Sequence, residues 1–81
     1  FAISPNPTHE QFTLELELER ALPGCSMDLL GADGRVVRST ALRANGLLVR
    51  QTVSVADLPK GAYLVRVNTP DGSSTRRLMV R

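Results

Sequence analysis

The chain has 81 residues, 42% of them hydrophobic and 4% aromatic, with ten Lys and Arg against eight Asp and Glu for a formal net charge of +2. That length holds one domain with one core, and no apolar run is long enough to span a membrane as a helix, so a soluble chain without direct membrane insertion is expected. The small net charge and the scarcity of aromatics argue against nucleic acid as a partner, because single-strand binders interleave basic groups with stacking rings.

The charge is unevenly spread. Residues 1–24 carry −3, from Glu10, Glu15, Glu17 and Glu19 against Arg20, and residues 25–81 carry +5, so the C-terminal end is the basic end. The one cysteine, Cys25, rules out an intrachain disulfide. Stability must then come from burial. Each buried aliphatic side chain contributes roughly 1.5–3 kcal/mol against about 1–2 kcal/mol of backbone entropy per ordered residue, which predicts modest stability for a domain this small. The sequence starts almost at its first strand and shows no secretory signal, so it reads as one domain, residues 1–81, excised from a longer parent.

In chain order, residues 1–4 read as a short edge strand, stopped by Pro5-Asn6-Pro7, which removes ladder donors and holds a rigid extended lead-in. Asn6-Pro7-Thr8 is not a glycosylation acceptor, since proline occupies its middle position. Residues 12–19 form the cleanest strand, with Phe12, Leu14, Leu16 and Leu18 facing in and Thr13, Glu15, Glu17 and Glu19 facing out. One face is therefore wet, as in antiparallel sheets. The acidic stripe reads as a solvated strand face rather than a metal or acid-pair site.

Pro23-Gly24 makes a turn, after which Cys25, Met27 and Leu29 alternate with Ser26 and Asp28 in a third strand. Cys25 reads as a small buried hydrophobe, since no basic or histidine neighbour in sequence lowers its pKa. Asp33-Gly34 predicts a two-residue type I′ hairpin into residues 35–39. Residues 41–46 read as a loop, and Val49, Gln51, Val53 and Val55 mark a fifth strand in which Gln51 interrupts the apolar face, as expected near a sheet edge.

Leu58-Pro59-Lys60-Gly61 is a sharp turn, with Pro59 fixing φ and Gly61 free to take φ > 0. It leads into a strand with Tyr63, Val65 and Val67 on one face and Leu64, Arg66 and Asn68 on the other. A tyrosine at the start of such a strand resembles the tyrosine corner of immunoglobulin-like sandwiches, whose hydroxyl bonds backbone across the corner for about 1 kcal/mol net. Pro70-Asp71-Gly72-Ser73 is another hairpin signal, and residues 75–80 are the last strand, with Leu78 and Val80 inward, Arg76 on their side, and Arg77, Met79 and Arg81 opposite. The fold expected is all-β, a seven-stranded antiparallel immunoglobulin-like sandwich.

Little in the chain points to catalysis. His9 lies in a polar loop beside Glu10 with no second ligand near it, and the glycines are spaced as turn punctuation rather than as a phosphate cradle. No enzyme activity, metal or cofactor is expected. What remains is a surface for another protein to read.

Ser4-Pro5-Asn6-Pro7, Gly34-Arg35-Val36-Val37, the stretch from Leu58 to Val67 and the terminal Arg76-Arg77-Leu78-Met79-Val80-Arg81 together resemble the type A C-terminal sorting domain of the type IX (Por) secretion system. The resemblance spans the whole chain. That family commonly has Tyr-Asp where this chain has Leu30-Gly31, and Lys where it has Arg76-Arg77. The resemblance implies an address domain at the end of cargo proteins in Bacteroidetes-type bacteria. Cargo would cross the periplasm, and the translocon and an outer-membrane shuttle would recognise the domain and pass the cargo to the cell surface. There a sortase would cut before the domain and join the cargo to lipopolysaccharide.

Carried over residue by residue, Lys60, Gly61, Tyr63, Arg76, Arg77 and Arg81 match the family's motifs and, with Arg66, are the expected partner-binding residues. For Gly61 and Tyr63, turn geometry and corner packing are an equal alternative. The arginines offer steering and hydrogen bonds, and the final strand offers an edge for strand addition or weak dimerisation. The competing reading is a fibronectin-like or immunoglobulin-like spacer or adhesion module with no sorting role.

Overall fold

The computed structural model describes residues 1–21 and 23–81. Its strands are β1 (Ala2–Ser4), β2 (Gln11–Glu17), β3 (Ser26–Gly31), β4 (Val36–Ala41), β5 (Ala44–Asn45), β6 (Leu48–Ser54), β7 (Gly61–Thr69) and β8 (Gly72–Val80). They form two four-stranded antiparallel sheets, ordered β1-β2-β6-β5 and β4-β3-β7-β8. The all-β antiparallel expectation holds.

The alternating patterns point into one shared core. Phe12, Leu14, Val49 and Val53 of the first sheet bury against Met27, Leu29, Tyr63, Val65, Val67, Leu78 and Val80 of the second. Cys25, just before β3, joins this cluster as a buried side chain. Phe1, Ile3, Leu16 and Leu58 pack on its margin. At the start of β7, the Tyr63 hydroxyl donates to the Pro59 carbonyl at 2.5 Å, the corner bond the sequence leads one to expect. Gly61, the first residue of β7, has φ +150, a conformation that L side chains rarely adopt.

Three local features differ from expectation. Among the described residues there are eight strands rather than seven, because part of the stretch read as a loop at 41–46 pairs instead: Ala44 faces Val49 and Asn45 faces Leu48. Gly46 at φ +65 followed by Leu47 closes that hairpin, since a glycine at the first central position gives a turn whose twist suits the strands. β5 ends there, so beyond Val49 the far edge of β6 is open, and half-buried Gln51 lies on that stretch, its amide donating to the Thr52 carbonyl at 3.1 Å.

The turn at Asp33-Gly34 is not type I′. That turn needs two residues with positive φ, and only Gly34, at +85, has one. Ala32 and Asp33 form the turn instead, with Gly34 N–H donating to the Gly31 carbonyl at 3.0 Å and Gly31 N–H to the Arg35 carbonyl at 2.8 Å. Further along the hairpin, Leu29 faces Arg38 while Leu30 faces Val36, leaving Val37 as the extra residue of a bulge. The last strand also begins earlier than residue 75. Thr69 already faces Gly72 across the Pro70-Asp71 turn, and the Thr69 hydroxyl accepts from Asp71 N–H at 3.2 Å.

Candidate functional site

The basic terminal strand is held in place by the first few residues of the chain. Asn6, between its two prolines, uses its side chain as a strand would use its backbone: Oδ1 accepts from Met79 N–H at 3.0 Å and Nδ2 donates to the Arg77 carbonyl at 2.9 Å. Thr8 continues the pairing, donating to the Met79 carbonyl and accepting from Arg81 N–H, both at 2.8 Å, and His9 Nδ1 donates to the Arg81 carbonyl at 2.8 Å. Pro-Asn-Pro is thus more than a rigid lead-in. With Thr8 and His9 it covers the outer edge of β8 from Arg77 to Arg81, so strand addition there would have to displace the chain's own segment. Alternation of the ladder leaves the outward backbone groups of Ser73 and Thr75 as the open part of that edge.

The expected partner-binding residues do not gather into one patch. Tyr63 is buried by its corner bond, and Lys60 is exposed in the turn before β7. Arg76 and Arg77 leave opposite faces of β8. Arg76 lies on the core side, its guanidinium 5.2 Å from the centroid of the Phe1 ring, a cation–π contact that caps the margin of the core. Arg77 lies on the outer face, in register with Leu64. Arg81 follows the strand and is fixed by its backbone.

Arg66 is committed to a network on the outer face of the second sheet. Its Nη2 meets Asp28 Oδ2 at 2.7 Å, and Asp28 also accepts from the Ser39 hydroxyl at 2.7 Å and the Asn68 amide at 3.0 Å. The Arg66 guanidinium, with the Ser39 and Asn68 donors, holds the Asp28 carboxyl below its ordinary value of 3.8 against the opposing effect of burial. Among the described residues, Arg66 Nε is buried without a hydrogen-bond partner. Arg38, on the other face of this sheet, forks onto both Asp57 oxygens at 2.9 and 3.0 Å and donates to the Ser54 carbonyl, strapping β4 to the end of β6. That fork lowers the Asp57 pKa as well.

The opposite end of the same outer face is apolar. Leu30 is only 8% exposed, flanked in register by Val36 and Leu64, and Ala62 and Met79 pair beside them. A shallow depression of about 400 Å³ lies there, lined by Ala32, Ala62, Leu64, Arg77 and Met79 among others. Val36, Leu64 and Met79 are not among the partner-binding residues expected from the sequence.

A family model described as the secretion system C-terminal sorting domain matches residues 2–81. The chain belongs to this family. A search of curated proteins returned no match. The sorting domain's family places it among type IX secretion signals, which implies interaction with that machinery and export to the outer membrane or cell surface. The segments whose resemblance carried that expectation occupy distinct places in the sorting domain. Ser4-Pro5-Asn6-Pro7 clamps β8, Gly34-Arg35-Val36-Val37 contains the bulge, the stretch from Leu58 to Val67 forms the corner and β7, and Arg76 to Arg81 ends the second sheet.

Proposed function

We propose that the chain is the non-catalytic address domain at the C-terminal end of a longer cargo protein, read in the periplasm by the type IX translocon and its outer-membrane shuttle. The family match over residues 2–81 carries this reading. The architecture is consistent with an immunoglobulin-like sandwich. The first sheet follows the A-B-E-D order of that fold and the second its C-F-G order with one added strand, and Tyr63 bonds Pro59 at the corner before the sixth strand of that scheme. Because this scaffold hosts many functions, the sorting role rests on the family match and on the surface it presents.

The exposed cations, Lys60, Arg76, Arg77 and Arg81, are the proposed electrostatic contribution to recognition, while Gly61 and Tyr63 keep the corner in shape and Arg66 is bound within its own sheet. The test is a periplasmic reporter fused to residues 1–81 in a type IX-competent bacterium. Surface display of the reporter is expected, and retention in the periplasm would favour the spacer reading. Truncation of residues 76–81 is a poor companion test, since it removes Leu78 and Val80 from the core along with the arginines. Charge-neutral substitutions at Arg76, Arg77 and Arg81 separate recognition from folding.

A further inference from the structure

The outer face of the second sheet offers a surface that its own chain leaves unfinished. Strand faces turned to solvent normally carry polar side chains, and a contiguous apolar surface rimmed by polar groups marks an interaction site. Here Val36 is 51% and Met79 38% exposed; Val36 faces Leu30, which faces half-buried Leu64 on β7, and Met79 lies on β8 two residues past Arg77, the partner of Leu64. Arg77, in register with Leu64, lines the depression together with Leu64 and Met79.

The charges on this face are divided unevenly. Asp28 is already held by Arg66, Ser39 and Asn68, and Asp71 by Arg20 at 2.8 Å. Asp33 sits in the β3–β4 turn, where Oδ1 accepts from Arg35 N–H. Among the described residues, Arg77 makes no ion pair within 4.0 Å. A guanidinium beside an apolar hollow is matched by a carboxylate on an apolar support, and its planar fork takes that group through two parallel hydrogen bonds.

We infer that the end of this face formed by Val36, Leu64, Arg77 and Met79 is a docking surface for an apolar protein segment bearing an Asp or Glu side chain, supplied by the secretion machinery. The inference rests on the sorting role proposed above and names the part of the domain that carries it. Apolar side chains of the segment cover Val36, Leu64 and Met79, and its carboxylate pairs with Arg77. Because the contact lies on the face of the sheet, it leaves the Asn6 clamp on the β8 edge in place.

The reporter fusion tests this with two variants. Arg77→Glu reverses the charge opposite the expected carboxylate, and Val36→Thr with Met79→Thr removes apolar surface while keeping side chains that strands accommodate. Each is expected to lower surface-displayed reporter at least tenfold while the purified variant unfolds within a few degrees of wild type. Arg50→Glu, the same charge change on the outer face of the first sheet, is the control and is expected to leave display unchanged. If the wild-type fusion is displayed and both variants match it, the docking surface is wrong and the sorting role stands. If the wild-type fusion itself stays in the periplasm, the sorting role fails and this inference with it. Self-association of the purified chain that Arg77→Glu abolishes would replace the acidic segment with a second copy and overturn the inference as stated.

Discussion

The outer faces of the two sheets share one backbone geometry and carry different chemistry. Across β2 and β6 of the first sheet, the outer-face pairs include Thr13 with Thr52, hydroxyl to hydroxyl at 3.2 Å, and Glu15 with Arg50 at 3.3 Å. Its exposed apolar residues, Leu47 and Leu48, sit at the tip of the β5–β6 hairpin. That face is largely exposed, its polar side chains meeting neighbours across the strand pair. The second sheet instead buries Leu30 on its outside and joins four polar side chains, Asp28, Arg66, Ser39 and Asn68, at the other end. Its outer face therefore contributes to stability, and its apolar end is more than any single strand needs for solubility. The contrast separates a face that only ends the protein from one that is partly interior already.

If Leu30 is a second, smaller interior, removing its side chain should cost more than any change on the first sheet's outer face. Leu30→Ala is expected to destabilise by about 2–3 kcal/mol, the lower part of the range for buried leucines because the cavity opens to solvent. For a domain of this size that is a fall of roughly 10 °C or more in Tm, readable by thermal unfolding. A loss below about 0.5 kcal/mol, the usual size for surface changes, would mean that Leu30 is covered without being supported.

The polar end should follow. Asp28→Ala leaves the Arg66 guanidinium and the Asn68 amide facing an empty site. Since the side chain of Asp28 is 17% exposed and that of Arg66 38%, solvent screens part of the loss, and about 1–2 kcal/mol is expected. A double-mutant cycle with Arg66→Met isolates the pair from its neighbours. The same carboxyl sets a pH dependence. Folded Asp28 binds its proton less readily than unfolded Asp28, so its contribution is complete above the ordinary value of 3.8 and is lost as pH falls through the lower folded value. Denaturant unfolding from pH 7 down into that acid range should show wild type losing stability more steeply than Asp28→Asn. Parallel curves would remove Asp28 as a cause.

Much of the inner architecture could be read from alternation. Phe12 and Leu14, Met27 and Leu29, and Tyr63, Val65 and Val67 repeat with the period of a strand and all point into the core. The opposite departures of Arg76 and Arg77 follow from the same rule. Alternation names only one buried face, however, so it gave no reason to single out Leu30, Val36, Leu64 or Met79. The strand β5 was hidden because two residues carry no period, and the bulge at Val37 because an inserted residue changes the register without changing composition. The Asn6 clamp has no local signal: a side chain imitating backbone is defined by its partner, and that partner lies more than seventy positions away. The Asp28–Arg66 pair likewise needed the β3–β7 register before its members could be joined.

The smallest expected effect gives the sharpest test of the contrast between faces. Arg50 and Glu15 are opposite charges directly across a strand pair, the arrangement that on inspection most resembles Asp28 and Arg66. Their side chains are 70% and 50% exposed, their separation is longer, and among the described residues no other side chain forms an ion pair with Glu15. Water competes for both groups, salt screens what attraction is left, and holding two long side chains together costs rotamer entropy. Arg50→Gln is therefore expected to change stability by less than about 0.5 kcal/mol, with that small difference vanishing as salt is raised. Chemical denaturation in urea at low and high ionic strength measures it without adding charge. An effect as large as that of Asp28→Ala would mean that an exposed cross-strand pair stabilises this fold as well as a supported network does. The two outer faces would then differ in composition alone, and the physical reason for singling out the second sheet would be gone.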